Sequence, residues 1–95
     1  MLSFNASGES LVCYYIYNDV VSTNLKTYKR DGDKFMDGRY PLDIVIDNSE
    51  VLLLEEVFDD SIFHFMLNKK TRDARFLHMQ IGNVSTQIGK CEIID

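Results

Sequence analysis

Turn-forming residues recur along this chain every eight to twelve residues, and that spacing limits the possible folds more than any other feature. They stand at Asn18-Asp19, Arg30 to Asp33, Asp37-Gly38, Asp47 to Glu50, Asp59-Asp60, Asn68 to Asp73 and Gly82-Asn83. Asp-Gly and Asn/Asp pairs adopt the positive-φ turns that close hairpins. The runs between them are rich in Val, Ile, Tyr, Phe and Thr, the residues that pack well on a pleated surface. This pattern predicts strands at about 10–17, 20–28, 41–47, 51–58, 61–67, 74–81 and 84–94, with a short one possible near 34–36. Pro41 falls where a strand begins, a position that tolerates the missing N–H. The segment 20–30 also admits a short helix, since Val20, Val21, Leu25 and Tyr28 share a helical face behind a capping Asp19. A strand is preferred there, because pairing across Asn18-Asp19 sets Ile16 against Val21 and Val12 against Leu25. The expected fold is a single all-β domain over residues 1–95, an antiparallel meander of about seven strands rolled into a barrel or sandwich.

The chain has 95 residues, 45% of them hydrophobic, enough for one core without added staples. No apolar run approaches the ~20 residues of a membrane helix. Met1 to Ser10 has neither the basic region nor the apolar stretch of a secretory leader. A cytoplasmic protein without a membrane partner is therefore expected. In that compartment Cys13 and Cys91 are expected as reduced, partly buried thiols, although neighbouring first and last strands would bring them face to face. They form no CxxC, so a zinc module is not expected, and the sequon Asn5-Ala6-Ser7 matters only in a secreted chain.

Residues 51–81 allow registers to be drawn. A two-residue turn at Asp59-Asp60 sets Leu54 opposite Phe65 and Glu55 opposite His64. A five-residue loop from Lys69 to Asp73 would set Phe65 opposite Leu77 and His64 opposite His78. Alternation then gives a core face of Leu52, Leu54, Phe58, Phe63, Phe65, Leu67, Leu77, Met79 and Ile81, whose one charge is Glu56 opposite Phe63. The reverse face holds Leu53, Val57, Ile62, Met66 and Phe76 among Glu55, His64, His78 and Gln80. That is too apolar for a face open to water, so a covering layer is expected, most simply a second copy of the chain, with a partner or the first two strands through Val12, Ile16, Val21 and Leu25 as the alternatives.

The net charge is −5, and the acids are concentrated: Asp43, Asp47, Glu50, Glu55, Glu56, Asp59 and Asp60 fall in one stretch without a Lys or Arg. A nucleic-acid ligand is disfavoured by that charge, whereas a basic protein partner is favoured. The expectation is a non-enzymatic protein-binding domain, an acidic inhibitor or immunity-type protein, using Asp47, Glu50, Glu55, Asp59 and Asp60 together with Ile62, Met66 and Phe76. No catalytic motif such as GxSxG, HExxH or a P-loop is present, and no cofactor is implied. Two alternatives stand beside this reading. One is a small-ligand or metal-binding barrel built on a cross-strand row of Glu55, His64 and His78, in which two imidazoles and a carboxylate suit a divalent ion. The other is a structural subunit of a larger assembly.

Overall fold

A computed structural model describes residues 9–17 and 19–94 of the chain, so the sequon at Asn5 and the turn residue Asn18 lie outside the described residues. Eight strands follow one another: β1 (Ser10–Tyr17), β2 (Val20–Asp31), β3 (Lys34–Asp37), β4 (Tyr40–Asp47), β5 (Val51–Val57), β6 (Ser61–Asn68), β7 (Asp73–Gln80) and β8 (Asn83–Ile94). Each pairs antiparallel with its neighbour in sequence, and β1 pairs with β8, so the meander closes into a barrel. The short strand near residue 34 is the eighth member, and closure removes the exposed edges that a sandwich would keep. Segment 20–30 is strand throughout. Its Tyr28 is fully buried opposite Leu11, which the sheet's period of two achieves without a helical turn.

Closure also decides the fate of the cysteines. The β1–β8 register sets Cys13 directly against Cys91 on the inner face, and the two form a disulfide across the seam. This corrects the expectation of reduced thiols. Residues 78 positions apart in sequence become neighbours only because the first strand meets the last.

The inner face is apolar and aromatic. Leu11, Tyr28, Phe35, Leu42, Leu52, Leu54, Phe65, Leu67, Ala74 and Phe76 are buried, with the disulfide among them. Phe65 lies at the centre, its ring centroid 5.1 Å from that of Tyr28 and 5.2 Å from that of Phe76. Tyr15 meets Phe76 edge-on at 4.8 Å. Small residues make room for these rings. Gly89 stands between Ala74 and Tyr15, and a Cβ there would come within 2.2 Å of the Tyr14 carbonyl oxygen and 3.1 Å of the Phe76 ring.

Two irregularities in the ladder re-aim side chains. Between β1 and β2 the register shifts after Tyr14, so Tyr14 rather than Val12 faces Leu25, while Ile16 faces Val21 as expected. Ser22 and Asn24 take up the extra length with a local hydrogen bond from Asn24 N–H to the Ser22 hydroxyl. Between β4 and β5 the shift falls at Val45: Ile44 pairs with Leu54, Ile46 with Leu53 and Asp47 with Leu52. Without that extra residue Asp47 would point outward like Asp43. With it, Asp47 turns toward the end of the barrel where the β2–β3, β4–β5 and β6–β7 loops lie.

There Asp47 organises a plug. Its carboxylate accepts a hydrogen bond from Arg30 Nη1 at 2.8 Å and pairs with Lys69, and Arg30 also reaches Glu9 at 3.1 Å. Arg30 packs over the Phe35 ring as well. Burial alone would raise the Asp47 pKa, but the hydrogen bonds from Lys69 and Arg30 outweigh it and hold the carboxyl below its usual value. A depressed folded-state pKa means stability that is present above the unfolded value, roughly 4, and lost as pH falls through the lower folded value. Asp47→Asn is therefore expected to cost about 1–2 kcal/mol near neutral pH, the site being partly open to solvent. The gap between variant and wild type should close under acid, as read by urea midpoints over a pH series. A gap that is unchanged by acid would remove the plug from the stability of the fold.

Candidate protein-binding face

Outward side chains of β5 to β8 fall in three parallel rows. Val57, Ile62, Met79 and Val84 form the first, and Glu55, His64, Leu77 and Thr86 the second. The third runs Leu53, Met66, Arg75 and Ile88, and continues to Ile46 on β4 and Ile16 on β1. Met66 is 48% exposed, Ile88 57% and Val57 63%. A groove of about 760 Å³ lies between the second and third rows, lined by Leu53, His64, Met66, Leu77 and Ile88. The expected apolar reverse face is thus an outer wall of the barrel, and Leu53, Val57, Ile62 and Met66 all lie on it.

Phe76 does not. It is 3% exposed in the core, while Leu77 and Met79 share the outer face with Ile62 and His64. Ile81 and Phe58, also expected inside, are 91% and 44% exposed just beyond the strand ends. For the β7 residues the cause is the loop after β6, which closes one residue sooner than the sequence suggests and spans Lys69 to Arg72, while Phe58 lies past the end of β5 at the barrel rim. Asn68 Oδ1 accepts hydrogen bonds from the N–H groups of Lys70 (2.9 Å) and Thr71 (3.1 Å). Arg72 then takes a left-handed φ of 70° and returns its N–H to the Asn68 carbonyl. A glycine or asparagine at that position would have announced the tight loop, whereas an arginine in this conformation gives no sequence signal. One residue of slip moves every β7 side chain to the other face.

The Glu55–His64–His78 row consequently does not assemble. Glu55 and His64 are partnered as expected, with His64 Nε2 2.8 Å from Glu55 Oε2. His78 faces inward, opposite Phe63 and Ser85. Among the described residues no group of three or more His, Cys, Asp or Glu side chains is placed to hold a metal ion.

The acidic run is divided as well. Asp47 and Glu50 sit at the plugged end, and Asp59 and Asp60 at the other, separated by the length of β5. Cations from outside the run meet three of its seven acids. Lys34 pairs with Asp43 at 2.5 Å, Arg30 and Lys69 with Asp47, and Lys70 with Glu50 at 3.6 Å. Asp59 and Asp60 have no ion-pair partner among the described residues. Arg75 stands in the reverse situation, a cation in the third row without an ion pair among the described residues. No helix long and apolar enough to cross a membrane occurs among the described residues. No protein-family model matches the chain, and neither a curated protein nor a solved structure matches it significantly.

Proposed function

We propose that this chain is a non-enzymatic protein-binding domain whose contact surface is the outer wall of β5 to β8, and that the surface is occupied by a second copy of the chain. The observation that carries this reading is the number of apolar side chains in the first and third rows, which Leu77 of the second row links across the wall. Those strands already supply a full core face on their inner side. Monomers seldom leave more than about 300–600 Å² of contiguous apolar surface open. Interfaces of this kind are also enriched in Met and Arg, the residues at the middle of the third row.

Charge favours a second copy over an unrelated partner. Arg75 and Glu55 lie on the same wall, two strands and one row apart. A two-fold axis lying in the plane of the wall, crossing the line between them at its midpoint and at right angles to it, would set each Arg75 against the Glu55 of the other copy. One patch then serves both subunits. The disulfide supports a working environment that oxidises thiols, in place of the cytoplasm expected from the sequence. An inhibitor acting on a basic partner has narrower support, from Asp59 and Asp60 alone.

Sedimentation equilibrium tests the dimer. The wild type at tens of micromolar should sediment as a dimer, and Met66→Asp combined with Ile88→Asp should give a folded monomer, since both side chains are on the outside. A folded wild-type monomer at that concentration would overturn the proposal, as would a double variant that still dimerises.

A further inference from the structure

The barrel has a second end, carrying the β1–β2, β3–β4, β5–β6 and β7–β8 turns, where among the described residues Lys26 and Asp37 form a single ion pair. Inward-facing side chains from seven strands line a cavity of about 390 Å³ there: Tyr15, Lys26, Asp37, Tyr40, Glu56, Phe63 and His78, with Phe58 at the rim. A smaller space of about 190 Å³ adjoins it between Tyr15, His78, Ser85 and Gln87. Phe63 lines both spaces, and Phe76 of the core lines the smaller one.

The polar groups of this mouth are unequally satisfied. Lys26 Nζ pairs with Asp37 at 2.9 Å, so the one cation is matched to one carboxylate. Glu56 is left without an ion pair or hydrogen bond among the described residues. Burial, and next the negative charge of Asp37, push its pKa upward. Below it Tyr28 is fully buried, and its hydroxyl has no hydrogen-bond partner among the described residues. That hydroxyl lies within electrostatic reach of Tyr15 and Asp37, both of them mouth residues.

The geometry points to a binding site in this mouth for a small organic ammonium ion with an aromatic or apolar body. Glu56 supplies the counter-charge that Lys26 does not consume. The rings of Tyr15, Tyr40, Phe58 and Phe63 offer faces that attract a cation and edges that enclose an apolar body. An anion would meet Asp37 and Glu56, while a bare metal ion would find too few oxygen ligands converging on one point. The volume is at the lower end of ligand pockets, roughly 300–1,000 Å³, which suits a compact amine. This site is separate from the outer wall, and its test does not depend on dimerisation.

Calorimetric titration of the full, disulfide-intact chain with 2-phenylethylamine provides that test, with 2-phenylethanol and 3-phenylpropionate as the neutral and anionic comparators. The amine should bind, with the alcohol at least about tenfold weaker and the carboxylate not bound. Glu56→Gln, whose side chain keeps the shape of a carboxyl, should weaken the amine at least about tenfold and leave the alcohol unchanged. Phe58→Ala, at the rim and outside the core, should weaken amine and alcohol alike. The outer-wall variant Met66→Asp should bind the amine as the wild type does. Absence of amine binding, equal affinity for amine and alcohol, indifference to Glu56→Gln, or loss of binding in Met66→Asp would each overturn the assignment.

Discussion

Reduction of the Cys13–Cys91 disulfide is expected to lower the folding free energy by roughly 3–5 kcal/mol, a large part of the 5–15 kcal/mol typical of a domain. The bond ties strands whose cysteines are 78 positions apart, so it spans most of the chain and removes much of the freedom of the unfolded state. Its location adds to this. The β1–β8 seam joins the segments most distant in sequence, so its closure carries the largest loop entropy of any strand pair in the meander. Chemical unfolding with and without reductant, repeated on Cys13→Ala with Cys91→Ala, measures the effect. The reduced wild type and the double variant should unfold at similar denaturant concentrations, both well below the oxidised protein. Hydrogen exchange should quicken first along β1 and β8. A difference under about 1 kcal/mol would mean that the hydrogen-bonded seam holds without its covalent tie.

The architecture was legible in the sequence because turn chemistry is local. Asp37-Gly38 and Gly82-Asn83 mark hairpins whatever the rest of the chain does, and the structure gives Gly38 and Gly82 positive φ at those turns. The Asp59-Asp60 turn likewise fixed the β5–β6 register, including Leu54 against Phe65 and Glu55 against His64. The β6–β7 register was not legible. It depends on an arginine adopting a left-handed conformation under the influence of the Asn68 side chain, and one residue separates a histidine row from a histidine in the barrel interior. The disulfide was half legible, since facing cysteines follow from closure, but closure itself is a property of eight strands acting together. Pairing of the acidic run was hidden for a related reason. Lys34 meets Asp43 across the β3–β4 hairpin, whereas Arg30 and Lys69 stand 17 and 22 positions from Asp47 and reach it only through the assembled barrel. The mouth left one trace in the sequence, the carboxylate of Glu56 on an otherwise apolar core face. A lone charge in such a position either finds a partner or marks an opening to solvent, and in this barrel it marks the opening.

Phe65→Ala and Phe76→Ala should each cost about 3–5 kcal/mol, whereas Leu77→Ala should cost about 1 kcal/mol or less. Phe65 is fully buried, and its ring touches those of Tyr28 and Phe76. Truncation would open a void in the middle of the barrel that the closed sheet cannot collapse to fill, since eight hydrogen-bonded strands fix its girth. Phe76 supports Phe65 on one side and Tyr15 on the other, so its loss should be comparable. The two phenylalanines touch, so the double variant should cost less than the two single losses combined. Leu77 lies one position along β7 and points to the outer wall, where removing its side chain leaves no internal void. The comparison therefore reads the β7 register directly. With the register of a five-residue loop the order would invert, Leu77→Ala becoming severe and Phe76→Ala mild. Denaturant midpoints of the three single variants, measured with the disulfide intact and at concentrations that hold any dimer constant, decide between the two. A Phe76→Ala variant as stable as wild type would move that ring out of the core and away from the smaller space beside the mouth.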